Sequence, residues 1–434
     1  MKIAIVGYDI EGRSSFEYFK AGGHELVIRD RNAELVTPDG VPKVIGDKYL
    51  DDLDQFDLVV RTPGLLPSDI LDKNPGINDK ITTQVNEFFR ASPTKNIIGV
   101  TGTKGKGTTA TLITKLLEAA GKDVYLGGNI GVPPLTFVGE LGAESWAILE
   151  LSNFQLIDMK SSPHVAVCLA IVPEHLDWHK DMADYVEAKS HIFLSQGSDD
   201  IAIYYADDDI SKRIASGGHG QLVPYYARPG AAVENDAIVI DGQEICKTAE
   251  LQLLGRHNWQ NVCAAVTAVW QVTQGVDAIR SVLTSFRGLE HRIEFVREAG
   301  GVRYYNDSYA AGLRATEAAV EAVNGKKVMI LGGYDRMLDL DSFGSYAVTH
   351  QDDFRTLLLI GASAQRLSEA LKRAGFTNYV LKPDVKTIED VVSQARQLAR
   401  PGDSIVLSPG FASFDMFKNF SERGRLFKEA VNNL

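Results

Sequence analysis

Gly99-Val100-Thr101-Gly102-Thr103-Lys104-Gly105-Lys106-Gly107-Thr108-Thr109 is the stretch that decides how this chain is read. An apolar run over 96–100 feeds it, and a helical pattern over 108–120 follows. Strand, Gly-rich loop and helix in that order aim backbone N–H groups and a helix N-terminus at one point. That point suits phosphate, and Lys106 adds a full positive charge. The strict P-loop spacing is missed twice: Val100 stands where its first Gly belongs, and Gly107 where a Mg²⁺-binding hydroxyl follows the Lys. Thr108 is the nearest substitute. The plainer alternative is an ordinary Gly-rich turn between strand and helix.

Outward from the loop, two more strands end in polar groups. The run 146–151 carries Glu150 at its end, followed by Ser152, Asn153 and Gln155. An acid at a strand's carboxyl end beside a phosphate loop can hold Mg²⁺. The run 165–171 leads into Glu174-His175-Leu176-Asp177-Trp178-His179, readable as a metal cluster or as a solvated turn with two surface histidines. The expectation is that these three strand ends converge.

The rest of the chain divides around this centre. Residues 1–92 alternate apolar runs (3–6, 26–28, 58–60) with helical or polar segments, the pattern of a small βα sheet. Their first turn, Gly7 to Ser14, resembles a nucleotide fingerprint with Asp9 in place of the middle Gly, which raises a dinucleotide-dependent oxidoreductase as a rival. Residues 91–95 read as a linker. Residues 289–434 carry strands at 302–306, 327–331, 356–360 and 404–407, separated by helical patterns at 316–323 and 363–374. The segment 201–251 has short β-like pieces that the pattern does not order. The expected fold is α/β in three domains: a Rossmann-like domain (1–92), a central P-loop ATPase-type parallel sheet (93–288) and a second Rossmann-like domain (289–434).

Bulk properties fit a soluble globular protein. The 434 residues are 44% hydrophobic and 24% charged, enough for several cores. A net charge of −12 argues against broad nucleic-acid or anionic-membrane surfaces while leaving room for a local phosphate pocket. Cys168, Cys246 and Cys263 show no metal spacing, which fits a reduced compartment. The N-terminus reads as a strand and no run is long enough to cross a bilayer, so the expected location is the cytoplasm.

Taken in order, the segments GYDIEGRS (7–14), RTPGLLPS (61–68), GTKGKGTT (102–109), GGNIGVP (127–133), ELSNFQL (150–156), EHLDWH (174–179), YVEAKSHIF (185–193), GRHNWQN (255–261), LEHRIE (289–294), NDSYA (306–310), GGYDR (332–336) and SPGFASFDMFKNFSERG (408–424) resemble the Mur ligase family. The last of them resembles its D-glutamate-adding branch. The resemblance implies an ATP- and Mg²⁺-dependent ligase that joins D-glutamate to UDP-N-acetylmuramoyl-L-alanine through an acyl phosphate, as a monomer without nucleic-acid partners. It places Gly102, Thr103, Lys104, Gly105, Lys106, Gly107, Thr108 and Thr109 on the ATP phosphates. Asn258 and Asn261 fall on the adenine side, and Arg292 and Asp307 on phosphates and ribose. Lys106, Glu150, His175 and Lys189 become the catalytic set, with Thr108, Glu150, His175 and a carbamylated Lys189 around the metal. Ser14, Arg31, Asn129 and Ser152 fall near the uracil and muramoyl groups, and Arg336, Ser413, Phe414 and Phe420 in the amino-acid pocket. On spacing alone Lys189 reads as a surface helix lysine; only the resemblance moves it inward.

The family pattern is broken at Tyr309 and Ala311, where it carries Lys and Thr, and at Arg336, where it carries Lys. The Gly-Lys-Gly-Thr order of the loop is closer to folylpolyglutamate synthases, the nearest rival enzyme, and the departures leave a Mur ligase with a different amino acid as a further alternative. A nucleotide-sensing protein without ligase activity is the rival from another class. Closure about a hinge near Gly288 is expected of an enzyme that must shield an acyl phosphate from water.

Overall fold

The computed structural model describes residues 1–176, 178–253, 255–335 and 339–434. Its contacts divide the chain into two units, Met1–Leu251 with His257–Thr284, and Gln252–Arg256 with Ser285–Leu434.

In the first unit, β1 (Lys2–Val6), β2 (Glu25–Asp30), β3 (Lys43–Ile45), β4 (Leu58–Arg61) and β5 (Ile81–Thr83) form a parallel sheet in the order β3-β2-β1-β4-β5. Ile3, Ala4, Ile5 and Val6 are all buried, because a strand covered on both faces needs apolar side chains at every position. The order reverses at β1, which creates a crevice at the strands' carboxyl ends. There a cleft of about 350 Å³ is lined by Gly7, Tyr8, Asp9, Asp30, Arg31, Tyr49 and Thr62, among others.

A second parallel sheet follows, made of β6 (Ile97–Thr101), β7 (Val124–Gly128), β8 (Trp146–Glu150), β9 (Val165–Cys168), β10 (Ile201–Tyr205) and β11 (Gln221–Tyr225). Its order is β11-β10-β9-β6-β8-β7, so β6 lies between β9 and β8. Val100 pairs with Glu150 and Thr101 with Cys168, which brings the carboxyl ends of all three strands side by side. The expected linker is held to this sheet: Thr94 is buried and its hydroxyl donates to the Ser145 carbonyl at 2.9 Å. The unordered segment 201–251 supplies β10, β11 and an antiparallel sheet of β12 (Ala232–Glu234), β13 (Ala237–Ile240) and β14 (Gln243–Lys247).

The second unit holds β15 (Glu294–Ala299), β16 (Val302–Asn306), β17 (Lys327–Gly332), β18 (Phe354–Ile360), β19 (Tyr379–Lys382) and β20 (Ser404–Leu407), ordered β15-β16-β20-β17-β18-β19. Only the edge strand β15 runs antiparallel, so the remaining strands again present their carboxyl ends together. Among the described residues no helix is long and apolar enough to cross a membrane.

Candidate active site

The loop 102–105 leaves β6 and enters the helix Lys106–Ala119, which starts two residues before the sequence pattern indicates. Gly105 caps that helix at φ +88°, a left-handed conformation that favours glycine. A Cβ there would lie 2.2 Å from Asn261 Oδ1, so the close packing of Asn261 also demands glycine. The Asn261 amide donates to Asn258 Oδ1 at 2.7 Å, and both side chains are buried at the start of the helix His257–Trp270. The structure therefore gathers Gly105, Thr109, Asn258 and Asn261 around one helix start. Thr108 is buried in the same turn.

Two lysines converge on the loop. Lys106 Nζ donates to the carbonyls of Gly102 at 3.2 Å and Thr103 at 3.0 Å. Lys189 Nζ donates to the same Gly102 carbonyl at 2.9 Å, from a side chain with 0% exposure. Lys189 is thus no surface lysine: the spacing-only reading fails because its face of the helix Met182–Leu194 packs onto the loop. Burial, reinforced by the Lys106 charge, pushes its amine down to about 7. One turn earlier, Tyr185 sets its hydroxyl 3.1 Å from Thr103 Oγ1. Lys104 points outward and pairs with Glu174.

Glu150 is buried at the end of β8, where the Asn129 amide donates to its Oε1 at 2.8 Å. Ser152 caps the short helix Asn153–Leu156, and its N–H and hydroxyl both donate to Gln155 Oε1, at 2.9 and 3.0 Å. Gln155 Nε2 in turn donates to Glu11 Oε1 at 2.7 Å, tying the first sheet to the second. His175 is exposed, at φ +57°, with its ring edge-on to Phe154 at 5.0 Å. Behind it His179 is buried between Asp184 Oδ2, 2.6 Å from Nδ1, and the Asn153 amide, 2.8 Å from Nε2.

Ser14 and Arg31 stand apart from this cluster. The Ser14 hydroxyl lies 3.1 Å from Thr136 Oγ1, and Arg31 lines the cleft of the first sheet.

In the second unit, Asp307 follows β16 and is turned inward. Its Oδ2 accepts from the Ser408 hydroxyl at 2.7 Å and its Oδ1 from the Ile293 N–H at 3.1 Å. Burial outweighs both donors and lifts the carboxyl to about 7. Arg292 lies over the Tyr309 ring, 5.8 Å from its centroid, and Tyr309 meets Phe420 edge-on at 5.1 Å. Ser413 is buried after β20, while Phe414 is exposed and edge-on to Tyr334 at 6.3 Å. Arg336 lies outside the described residues.

Residues 100–269 match the Mur ligase middle domain, and residues 291–411 the Mur ligase glutamate ligase domain. A UDP-N-acetylmuramoylalanine–D-glutamate ligase of Clostridium kluyveri is 35% identical over 450 residues, covering 100% of this chain and 97% of its own length. The chain belongs to the Mur ligase family. Solved Mur ligases share its fold at low identity. MurF from Acinetobacter baumannii gives a TM-score of 0.64 at 17% identity, covering 99% of this chain and 93% of that one. MurF from Thermotoga maritima, solved in complex with ADP, gives 0.60 at 17%, covering 99% and 94%.

As a Mur ligase, the chain is an ADP-forming ligase of peptidoglycan precursors. Two parts of its site carry no assignment in the sequence reading. Tyr185 lies four residues before Lys189, so the two share a helix face, and that spacing is the signal that could have found it. His179 was visible only as one of two histidines; that it is buried and its partners Asn153 and Asp184 depend on the tertiary fold.

Proposed function

We propose that this Mur ligase uses ATP to join D-glutamate to the carboxylate of UDP-N-acetylmuramoyl-L-alanine. The observation that carries the reading is Lys189, fully buried with its amine on the Gly102 carbonyl of the phosphate loop. A buried amine near neutrality is expensive to keep and suited to reaction with CO₂, giving a carbamate with two oxygen donors.

The donor set fits a hard divalent cation. Glu150 is a buried carboxylate whose Oε1 is engaged by Asn129, and a carbamate on Lys189 adds oxygen and negative charge next to the loop. Glu150, His175, the Lys189 carbamate and Thr108 are the residues that would hold Mg²⁺, which when bound offsets charge on the phosphates. The loop amides and Lys106 orient the γ-phosphate for in-line attack. A substrate carboxylate oxygen forms a bond to the γ-phosphorus as the bond to ADP breaks. The amine of the amino acid then attacks the acyl carbon, phosphate leaves, and the amine proton is lost.

In this reading residues 1–92 bind the UDP portion, residues 93–288 bind ATP and residues 289–434 bind the amino acid. Asn258 and Asn261 serve the adenine side, Arg292 and Asp307 the phosphates and ribose, and Arg336, Ser413, Phe414 and Phe420 the D-glutamate. The protein works as a cytoplasmic monomer, and its product feeds cell-wall growth and division. The relative's name supports the amino acid. The deciding experiment combines purified protein, ATP, Mg²⁺, UDP-N-acetylmuramoyl-L-alanine and a panel of amino acids, with product mass and ADP measured. One ADP per D-glutamyl product is expected; turnover with L-lysine or meso-diaminopimelate and none with D-glutamate would refute the assignment.

A further inference from the structure

Arg292 is flanked by two residues in left-handed backbone, His291 at φ +64° and Ile293 at φ +46°. A β-branched residue rarely adopts that conformation and keeps it only where its surroundings impose it. Here the surroundings are explicit. Glu294 Oε2 accepts from the His291 N–H at 2.9 Å, Asp307 Oδ1 from the Ile293 N–H at 3.1 Å, and the His291 carbonyl from the Tyr309 N–H at 3.0 Å. The His291 ring is held in turn by the Asn306 amide at 2.8 Å, and a Cβ at Gly424 would sit 2.3 Å from its Nδ1.

These bonds fix the backbone on both sides of Arg292 and leave its long side chain to be set by something else. The Tyr309 ring does this: the guanidinium lies over its face, 5.8 Å from the centroid. The same ring is 53% exposed, so packing does not demand an aromatic there, and it also meets Phe420 perpendicularly, with the ring centroids 5.1 Å apart. The Ser308 hydroxyl donates to the Phe420 carbonyl at 2.8 Å, which fixes that partner as well. One aromatic therefore touches both Arg292 and Phe420.

We infer that Tyr309 is a positioning residue whose ring sets the guanidinium of Arg292 and registers it against Phe420. The inference rests on the ligase reading above for what Arg292 is positioned to do, the charge of the guanidinium serving the phosphates. A lysine at this position could not play the part, because it offers no ring face and repels a guanidinium.

The test is a double-mutant cycle of Tyr309→Leu and Arg292→Gln, with Tyr309→Phe as the conservative variant. Tyr309→Leu is expected to lower kcat/KM for ATP roughly fivefold while leaving the KM of the UDP substrate in place, and Tyr309→Phe to retain most of the activity. In the Arg292→Gln background the leucine should cost less than about twofold. A second readout does not need turnover. The Arg292 Nε–H resonance, assigned by its loss in Arg292→Gln, should carry a ring-current shift in the wild type and Tyr309→Phe and lose it in Tyr309→Leu. Equal costs of Tyr309→Leu in both backgrounds, equal damage by Phe and Leu, or an Arg292 resonance indifferent to Tyr309→Leu would each overturn the inference. A wild type that forms no ADP with its proposed substrates would refute the ligase reading instead, and the resonance would still decide the contact.

Discussion

At the scale of single residues, the costly groups are the informative ones. Lys189 is buried with its amine on a loop carbonyl, in a place where methionine would pack without a desolvation penalty. The ligase reading explains why it is retained, and Lys189→Ala is expected to lose on the order of 10²-fold in ADP formation while still binding ATP. Acetate or another small carboxylate should restore part of that loss, and a wild-type mass without an added carboxyl group would remove the carbamate from the account. Glu11 is costly in the opposite sense. Burial lifts its carboxyl to about 7, against the help of the Gln155 amide, and its Oε2 has no hydrogen-bond partner among the described residues. A folded-state value above the unfolded one means that the native chain binds the extra proton. The stabilisation is complete below the unfolded carboxyl range and is lost as pH rises through about 7. Glu11→Gln keeps the acceptor for Gln155 without a charge to bury. It should therefore raise the melting temperature at pH 8, by the equivalent of a few kcal/mol at most, and gain little near pH 5. A gain of the same size at both pH values would mean that the carboxyl does not titrate in this range.

Elements differ in how far the sequence exposed them, and the difference has a physical cause. Strands β1, β2, β4, β6, β8, β9, β17, β18 and β20 were legible because central parallel strands are buried on both faces and carry apolar runs, and β16 was legible despite Arg303 and Asn306 within its run. The edge strands β3, β11 and β19 were not, since their side chains are largely half-buried or exposed and their runs are short. The antiparallel trio in 232–247 was hidden because its strands are only three to five residues long. In the site, the phosphate loop and Glu150 could be argued from residues alone, because a strand end followed by glycines has a chemical meaning before any fold is known. The burial of Lys189 and the inward turn of Asp307 could not, because both depend on which helix or loop packs over them. The loop itself yields a prediction at this scale. Gly105 combines φ +88° with a neighbour that leaves no room for Cβ, the Asn261 amide. Gly105→Ala should shift both the helix start and Asn261, weakening ATP binding at least tenfold, about 1.4 kcal/mol. The fold should survive, since the strain is local. Isothermal titration with ATP checks it, and an unaltered affinity would mean that the loop adjusts without disturbing the nucleotide site.

For the molecule as a whole, the first sheet separates the two ligase readings the sequence left open. A folylpolyglutamate synthase would need no nucleotide-type domain before its phosphate loop, whereas this chain builds a complete parallel sheet there, with a cleft at its switch point. The cleft carries Asp9, Asp30 and Asp69 beside Arg31, Tyr8 and Tyr49, a lining that offers acceptors for the hydroxyl and N–H groups of a ribose and a pyrimidine. Asp9 also accepts from the N–H groups of Glu11 and Gly12, both at 3.1 Å, so a carboxylate already occupies the helix start where a dinucleotide's phosphates would sit. That weakens the oxidoreductase rival and favours a ligand held by its base and sugar. A ligand that binds only the folded chain stabilises it by mass action, by about 2.7 kcal/mol at a hundred times its dissociation constant. UDP-N-acetylmuramoyl-L-alanine is therefore expected to raise the melting temperature in the absence of ATP, with dihydrofolate and NAD having no effect at the same concentration. Arg31→Ala should reduce the shift while leaving the ATP-induced shift in place, because Arg31 lines this cleft and takes no part in the phosphate loop. A shift with dihydrofolate and none with the UDP compound would transfer the chain to the folate reading.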